Sequence, residues 1–242
     1  MRFRVHCREV SESTNLDARG GVPGDVFVAR EQTAGRGRLD HRWLSPPGVN
    51  LTMSAVFGVE DLPPETVATF PLVAGLAVRN AARRFAPRAE LLLKWPNDVL
   101  ANGRKLAGVL CERNGDAVIA GIGVNVGQTR FAPEIAARAT SLALLADAPS
   151  VEQVRDAMLA ELDLLHGIWR QRGFAALHPQ IAAVDFLKGK TVRVRQTDDD
   201  AEPIDGVCGG IAVDGSLLVG GRSVYAGEAH VESGSFSLAV VV

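Results

Sequence analysis

The chain has 242 residues, of which 47% are hydrophobic and 22% are charged, and its formal net charge is −2. This length and composition fit one large globular domain with a sizeable core and one smaller domain. A net charge so close to zero provides no overall attraction to nucleic acid or to an anionic membrane surface.

The cysteines and the lack of long apolar segments limit the cellular compartment. Cys7, Cys111 and Cys208 are far apart and form no C-x-x-C pair, which argues against a disulfide framework or a structural zinc site. No apolar stretch reaches the roughly 20 residues of a transmembrane helix, and residues 1–6 lack the apolar core of a secretory signal. We therefore expect a cytoplasmic protein with no membrane partner.

The first 126 residues predict an α+β fold. Strands are expected at residues 25–30, 50–57, 90–95, 106–112 and 117–126, with a helix at 66–85 that starts or kinks at Pro71. Asn102-Gly103 and the segment 114–116 are strong hairpin signals. Tight turns between neighbouring strands predict a mixed, largely antiparallel sheet packed with helices.

The second half of the chain contains one amphipathic helix and then changes in composition. Apolar residues recur every three or four positions from Val151 to Trp169, and we expect that face to pack on the sheet. After about residue 186, short apolar runs broken by glycines predict a small β-barrel. The expected domains are residues 1–186 and 187–242, with Asp198-Asp199-Asp200 in a solvated turn.

A segment rich in glycine and arginine, Gln32-Thr33-Ala34-Gly35-Arg36-Gly37-Arg38, lies between two predicted strands, and Trp43 follows it. The glycines allow backbone amides to approach an anion closely, while the guanidinium groups of Arg36 and Arg38 can hold it. Disordered RNA-binding tails and solvated surface turns can have the same sequence. The position between strands favours an anion-binding loop.

The segment Lys94-Trp95-Pro96-Asn97-Asp98 places a cation and an acid four residues apart where a predicted strand ends. Pro96 restricts Trp95 to extended geometry, so Lys94 and Asp98 are held on a stiff bend. An ordinary strand that ends in a polar turn is the alternative. The chemical interpretation is that the ammonium neutralises a phosphate or carboxylate while the carboxylate binds Mg²⁺.

Three more segments are candidates for binding. Lys105 precedes a predicted strand that contains Gly108, and it is either a solvated flank or a second cation at the site. Gly121 and Gly123 remove side chains from one face of a strand, which is typical of close approach by a ligand or another backbone, and Asn125 follows them. Ser13-Thr14-Asn15 opens a helical turn, where Ser13 is either an N-cap or a ligand-binding hydroxyl. We find no covalent nucleophile paired with a base.

In this order and spacing, these segments resemble the signature of the biotin protein ligase family. Ser-Thr-Asn, Gln-x-Ala-Gly-Arg-Gly-Arg, Lys-Trp-Pro-Asn-Asp, Lys-Leu-Ala-Gly and Gly-x-Gly-x-Asn match over residues 13–126, and Thr140-Ser141-Leu142 matches after them. The resemblance implies a class II synthetase-like catalytic domain followed by a small β-barrel. It also implies that MgATP activates biotin to biotinyl-5′-AMP, and that biotin is then transferred to a lysine of a biotin carboxyl carrier domain of a carboxylase.

The resemblance also implies roles for individual residues. Ser13, Thr14, Gln32 and Gly35 would surround the ureido ring and tail of biotin, and Leu106, Ala107 and Val109 would supply apolar walls. Arg36 and Lys94 would hold the carboxylate and α-phosphate, Arg38 would lie on the closing loop, and Asp98 and Lys105 would bind magnesium and the triphosphate. Trp43 would lie near the nucleotide and Asn125 at the adenine edge, with Asn15, Gly108, Gly121 and Gly123 completing the set.

The sequence departs from the family pattern at two points. Leu39-Asp40-His41 stands where the family usually has x-Gly-Arg, which could alter how tightly the loop closes. Because the first motif begins at residue 13, we expect the form without an N-terminal DNA-binding helix-turn-helix domain. The family includes monomers and dimers, so a homodimer is an open possibility.

Two alternative functions are a lipoate-type protein ligase and a nucleic-acid-binding module. The Gly-Arg-Gly-Arg and Lys-Trp-Pro-Asn-Asp pairing disfavours the first, and the excess of acidic over basic residues after residue 186 disfavours binding to DNA. Since every motif precedes residue 127, we expect the adenylation chemistry to need nothing from the barrel directly. The barrel would contact the carrier and cover the site, or serve a purely structural role.

Overall fold

The computed structural model describes residues 1–38, 41–147, 149–196 and 202–232. Three features of the sequence analysis lie outside these ranges. They are Leu39-Asp40, where the sequence departs from the family pattern, the predicted turn at Asp198-Asp199-Asp200, and the last ten residues of the predicted barrel domain. Among the described residues, no helix is both long and apolar enough to cross a membrane.

The described chain contains twelve strands and six α-helices. The strands are β1 (Arg4–Ser11), β2 (Asp25–Gln32), β3 (Leu51–Gly58), β4 (Leu91–Lys94), β5 (Asp98–Ala101), β6 (Arg104–Asn114), β7 (Ala117–Val124), β8 (Thr191–Arg195), β9 (Ile204–Ile211), β10 (Leu217–Val219), β11 (Arg222–Val224) and β12 (Glu228–Val231). The helices are α1 (Thr14–Asp17), α2 (Pro64–Val67), α3 (Phe70–Phe85), α4 (Pro133–Ala136), α5 (Val151–Arg172) and α6 (His178–Ala182).

The first seven strands form one sheet in the order β1-β2-β3-β7-β6-β5-β4. β1 and β2 pair in parallel and the other neighbours pair antiparallel, so the predicted mixed, largely antiparallel sheet is confirmed. Asn102 and Gly103 both have positive φ angles, as a tight hairpin between β5 and β6 requires. β1 and β5 were not predicted. β5 has only four residues, and β1 is an exposed edge strand in which polar side chains interrupt the apolar ones.

Two long helices cover one face of this sheet. The predicted helix at 66–85 is divided into α2 and α3, and Pro71 lies in the first turn of α3, where proline is tolerated. α5 begins with a capping box formed by Ser150 and Gln153. Its apolar face packs against β3, where the ring centroid of His166 lies 4.8 Å from that of Phe57, and it packs more extensively against α3. The expected packing on the sheet is therefore present, with α3 as a second partner.

The strands β8–β12 form a second, antiparallel sheet in the order β11-β10-β9-β8-β12, in the place of the predicted small barrel. Its buried side chains, including Val192, Val194 and Leu217, belong to the same apolar cluster as the core of the first sheet. The indole N–H of Trp95 donates to the carbonyl of Gly215 at 3.1 Å. The two sheets are therefore packed together, while the boundary at residue 186 remains a prediction.

Candidate active site

One pocket, with about 940 Å³ of empty space including its open mouth, lies where the motifs converge. Nearly all the predicted site residues line it: Ser13, Thr14, Asn15, Gln32, Arg36, Arg38, Trp43, Lys94, Asp98, Lys105, Gly108, Gly121 and Gly123. These residues come from strands, a short helix and a turn spread over more than 100 positions of sequence, so the fold assembles a site that the sequence shows only as separate segments.

The sheet itself forms the floor of the pocket. Lys94 pairs with Asp98 across β4 and β5, Asp98 with Gly108, and Gly108 with Gly123, which places all four in one row. Side chains at paired positions lie on the same face, so the row presents two charged groups followed by a bare strip of backbone. Lys105 Nζ lies 2.7 Å from Asp98 Oδ1. The row can therefore hold an anion at its charged end, while its glycines leave room for neighbouring side chains.

The paired glycines of β7 make room for two side chains of the same protein. A Cβ atom on Gly121 would stand 2.0 Å from Asn15 Oδ1, and one on Gly123 would stand 2.3 Å from Cε2 of Trp43. The close approach expected at these glycines is thus real, but the approaching groups are Asn15 and Trp43. Trp43 Nε1 is buried and has no acceptor among the described residues, which leaves a donor for a ligand or water.

A chain of polar contacts forms one end of the pocket. Gln32 Oε1 accepts hydrogen bonds from the backbone N–H and the hydroxyl of Thr14, at 2.8 and 3.1 Å. Ser54 Oγ lies 2.7 Å from Thr14 Oγ1 and 2.6 Å from Asn15 Oδ1. Ser13 occupies the N-cap position of α1, but its side chain makes no capping hydrogen bond. This end offers fixed amide and hydroxyl groups to a small polar ring.

The arginine-rich segment forms a turn over the mouth of the pocket. Gly37 N donates to His41 O at 2.7 Å, and Trp43 N donates to Gly35 O at 3.0 Å. Arg38 reaches across to the second sheet, where its Nη1 donates to the Gly227 carbonyl at 3.4 Å. The turn therefore connects the two sheets above the site.

Two cations in the pocket are partly removed from water. Burial lowers the pKa of the Lys94 ammonium below its ordinary value, and the carboxylates of Asp98 and Glu228 oppose that shift. Burial also lowers the pKa of Arg38, again opposed by Asp98 and Glu228. A desolvated cation interacts more strongly with an anionic ligand than a fully hydrated one does.

The second sheet contributes directly to the pocket, because Gly227, Glu228 and Ala229 are part of its lining. This placement agrees with the expectation that the barrel covers the site, while the expectation that the chemistry needs nothing from it directly remains a prediction. All the motifs do precede residue 127, but folding brings β12 against the mouth. Glu228 adds a second carboxylate to a site where the sequence indicated only Asp98.

Two predicted residues lie outside the pocket lining. Gly35 is buried beneath the arginine turn, where a Cβ atom would stand 2.5 Å from the Trp43 carbonyl oxygen. Asn125 is buried, and its amide N–H donates to Thr140 O at 3.0 Å, which holds residues 140–142 against the end of β7. Its role at the adenine edge remains a prediction. Of the expected apolar walls, Val109 lines the pocket, whereas Leu106 and Ala107 belong to the core.

Sequence reasoning missed three acidic or polar residues that contact the site. Ser54 lies in a fully buried strand, where a small side chain suggests only core packing. Glu112 lies at the far end of β6, four residues beyond the Lys-Leu-Ala-Gly motif. Glu228 follows a glycine in the second sheet and has no motif around it. The alternation of β6 was the one available signal, since Gly108, Leu110 and Glu112 share a face.

The carboxylates of the pocket fit a magnesium ion that arrives with a nucleotide. Mg²⁺ is commonly held by one or two carboxylates together with phosphate oxygens. Asp98 and Glu228 both line the pocket beside Lys94 and Lys105. Within the described ranges no group of three metal-binding side chains occurs, so a metal here would depend on oxygens of the substrate.

Comparisons with known proteins show which family this chain resembles. The model of the biotin/lipoate A/B protein ligase family matches residues 12–128. Biotin–(acetyl-CoA-carboxylase) ligase of Mycobacterium tuberculosis is 36% identical over 232 residues, which cover 90% of this chain and 85% of that protein. The bifunctional ligase/repressor BirA of Escherichia coli is 30% identical over 220 residues, covering 87% and 67%.

A solved structure gives the same result. Biotin protein ligase from Aquifex aeolicus, in complex with biotin and ATP, superposes with a TM-score of 0.83 at 28% identity, covering 94% of this chain and 98% of that chain. The fold, the pocket and the relatives together define a class of adenylate-forming ligases. This chain belongs to the biotin protein ligase family.

Proposed function

We propose that the protein activates biotin with ATP to biotinyl-5′-AMP and transfers the biotinyl group to a lysine of a biotin carboxyl carrier domain. The observation that supports this best is the row of Lys94, Asp98 and two bare glycines beside Lys105, with Arg36 and Arg38 in the same lining. A site that joins two anions, a carboxylate and a triphosphate, needs these cations to offset their repulsion.

The first step needs orientation and no protein nucleophile. A carboxylate oxygen of biotin attacks the α-phosphorus of ATP, and the bond to pyrophosphate breaks. Arg36 and Lys94 would hold the two reacting groups, and burial of Lys94 strengthens its attraction to the charge that builds on the α-phosphate. Mg²⁺, held by Asp98 with Glu228 nearby, would neutralise charge on the phosphate oxygens.

The second step forms an amide. The uncharged amine of the carrier lysine attacks the acyl carbon of the mixed anhydride, AMP leaves, and the amine gives up a proton. Arg38 donates a hydrogen bond to the Gly227 carbonyl of the second sheet above the pocket. It would therefore help to shield the anhydride from water until the lysine enters.

The test is an activity assay on the purified chain with ATP and Mg²⁺, supplying biotin in one reaction and lipoate in another. We expect biotinyl-AMP and pyrophosphate with biotin, followed by labelling of a carrier domain. Activity with lipoate and none with biotin would contradict the proposal. The ligases that this chain resembles support a carboxylase carrier as the partner. The absence of DNA binding, a homodimer and a cytoplasmic location remain predictions from the sequence.

A further inference from the structure

Glu112, which belongs to none of the motifs, makes three contacts beside the pocket. Its Oε2 accepts a hydrogen bond from Asn15 Nδ2 at 2.6 Å, and its Oε1 accepts one from Arg36 Nη1 at 3.1 Å. Arg19 Nη2 lies 3.6 Å from the same Oε1. One carboxylate thus connects the polar end of the pocket to the arginine turn.

Asn15, the partner of Glu112 at the polar end of the pocket, is held rigidly. Asn15 is buried, its Oδ1 lies against Ser54, and it fills the space that a side chain at Gly121 would need. The Glu112 side chain is 23% exposed, whereas that of Arg36 is 43% exposed. Arg36 also lies between two glycines, so without a partner its guanidinium would have many conformations available.

The contact with Glu112 leaves one edge of the Arg36 guanidinium available to bind an anion. Glu112 binds the Nη1 end of the guanidinium, and a planar guanidinium also presents parallel N–H groups on its Nε–Nη2 edge, which suit a carboxylate. The local charges also favour an anion, because Arg19 and Arg36 together outweigh the one carboxylate between them. Without Glu112 the two arginines would repel each other, and Arg36 would turn toward water.

We propose that Glu112 is a positioning residue that orients Arg36 for the biotin carboxylate and ties it to the buried Asn15. This inference rests on the proposed function. It makes biotin binding, and not ATP binding, the step that depends on Glu112.

The experiment compares Glu112→Gln with the parent chain. Glutamine keeps the length of the side chain and an oxygen for Asn15, but it removes the charge that holds Arg36. We expect the KM for biotin to rise roughly tenfold, with the KM for ATP and the thermal transition almost unchanged. Glu161→Gln is the matched control, because it breaks the Arg84–Glu161 ion pair outside the pocket lining.

A double-mutant cycle separates positioning from a general structural effect. If Glu112 acts through Arg36, Glu112→Gln should add nothing to the biotin defect of Arg36→Gln. Two kinds of result would overturn the proposal. In the double variant, it would be a further rise in the biotin KM equal to that of Glu112→Gln alone. In Glu112→Gln alone, it would be an unchanged or a lower biotin KM, and a lower KM would mean that Glu112 competes with the ligand. If Glu112→Gln fails to fold, Glu112→Asp keeps the charge at a shorter reach and should give a smaller rise in the biotin KM, and an unchanged KM would contradict positioning.

Calorimetric titration of biotin into the parent chain keeps the two hypotheses distinguishable. A parent chain that binds no biotin and forms no biotinyl-AMP contradicts the proposed function. A parent chain that does both, with an unaffected Glu112→Gln variant, contradicts the role of Glu112 alone.

Discussion

The indole of Trp43 lies directly over Gly123, where a Cβ atom would stand 2.3 Å from ring atom Cε2. The glycine of β7 and the tryptophan that follows the arginine turn therefore depend on each other, although 80 positions separate them. Trp43 forms part of the pocket wall, so its placement determines the shape of the proposed nucleotide end of the site.

Gly123→Ala should displace the Trp43 ring and weaken nucleotide binding. Overpacking of this kind costs about 1–3 kcal/mol, which corresponds to a rise of roughly 5- to 150-fold in the KM for ATP where the cost falls on nucleotide binding. Steady-state kinetics with ATP and biotin varied separately would measure it. Gly167→Ala is the control, since a Cβ atom there meets nothing within 4 Å. Equal kinetics for both variants would show that the Trp43–Gly123 packing has no role in binding.

Lys94→Ala should slow adenylate formation far more than it weakens ATP binding. One preorganised donor to charge that builds in the transition state contributes about 3–4 kcal/mol, a loss of several hundredfold in rate. Lys94→Arg should restore little, because a planar fork does not replace a compact ammonium. Single-turnover formation of biotinyl-AMP is the measurement, and a near-normal rate for Lys94→Ala would remove Lys94 from the reaction.

Arg38→Gly should allow the adenylate to escape while activation partly continues. The variant loses the hydrogen bond from Arg38 to Gly227 across the mouth, and the released anhydride would then label lysines of unrelated proteins. The measurement is biotin incorporated into albumin present in the reaction, with Arg88→Gly, an exposed position outside the pocket, as control. Labelling no greater than that of the parent enzyme would count against a gating role.

The second sheet should be needed for activation as well as for transfer. Glu228 lines the pocket as a second carboxylate near the proposed Mg²⁺ position at Asp98, so Glu228→Gln should slow biotinyl-AMP formation by roughly tenfold at unchanged fold. Truncation after Phe186 would also expose the shared core, and we expect that fragment to be destabilised and inactive in both steps. A folded fragment with full adenylation activity would support the expectation from the sequence that the adenylation chemistry needs nothing from the barrel directly.

His166 should make the stability of the protein depend on pH. Burial among Phe57, Phe70 and Trp169, with a smaller effect of Arg170, lowers its pKa from 6.5 to about 4. Because the unfolded chain takes up the proton first as the pH falls, the free energy of unfolding should be highest above pH 6.5. It should fall by about 2 kcal/mol between pH 6.5 and pH 5.

Urea unfolding at pH 7.5 and pH 5 measures this dependence in the parent chain and in His166→Phe. The difference between the two proteins isolates the histidine from other titrating groups. We expect the variant to lose about 2 kcal/mol less than the parent over this interval. Identical losses would show that His166 does not titrate as its surroundings require.

The sequence predicted those parts of the fold in which the local residue pattern matches the structure that the residues adopt in the folded chain. The hairpin at Asn102-Gly103 follows from residues that adopt positive φ, and α5 follows from apolar spacing and its capping box. β1 could not be predicted in the same way, because its stability comes from pairing with β2 and not from an apolar face of its own.

The site shows the same limit. Short motifs located Lys94, Arg36 and the glycines, because the chemistry demands those residue types at fixed spacing. Glu112 and Glu228 stayed hidden, because each acts through a contact across the fold with a residue at least 76 positions away. The hydrogen bond from the Asn125 amide to Thr140 O could not be predicted either, because the fold brings the two residues together.

The central claim is that this pocket joins biotin to AMP. The most direct measurement is mass spectrometry of the chain incubated with biotin, ATP and Mg²⁺ without any carrier, alongside a reaction that lacks biotin. The account predicts enzyme-bound biotinyl-5′-AMP and pyrophosphate in the complete reaction and neither in the other, with the adenylate consumed when a carrier domain is added. An active, folded chain that hydrolyses ATP without forming the adenylate, or that biotinylates the carrier without passing through it, would contradict the account.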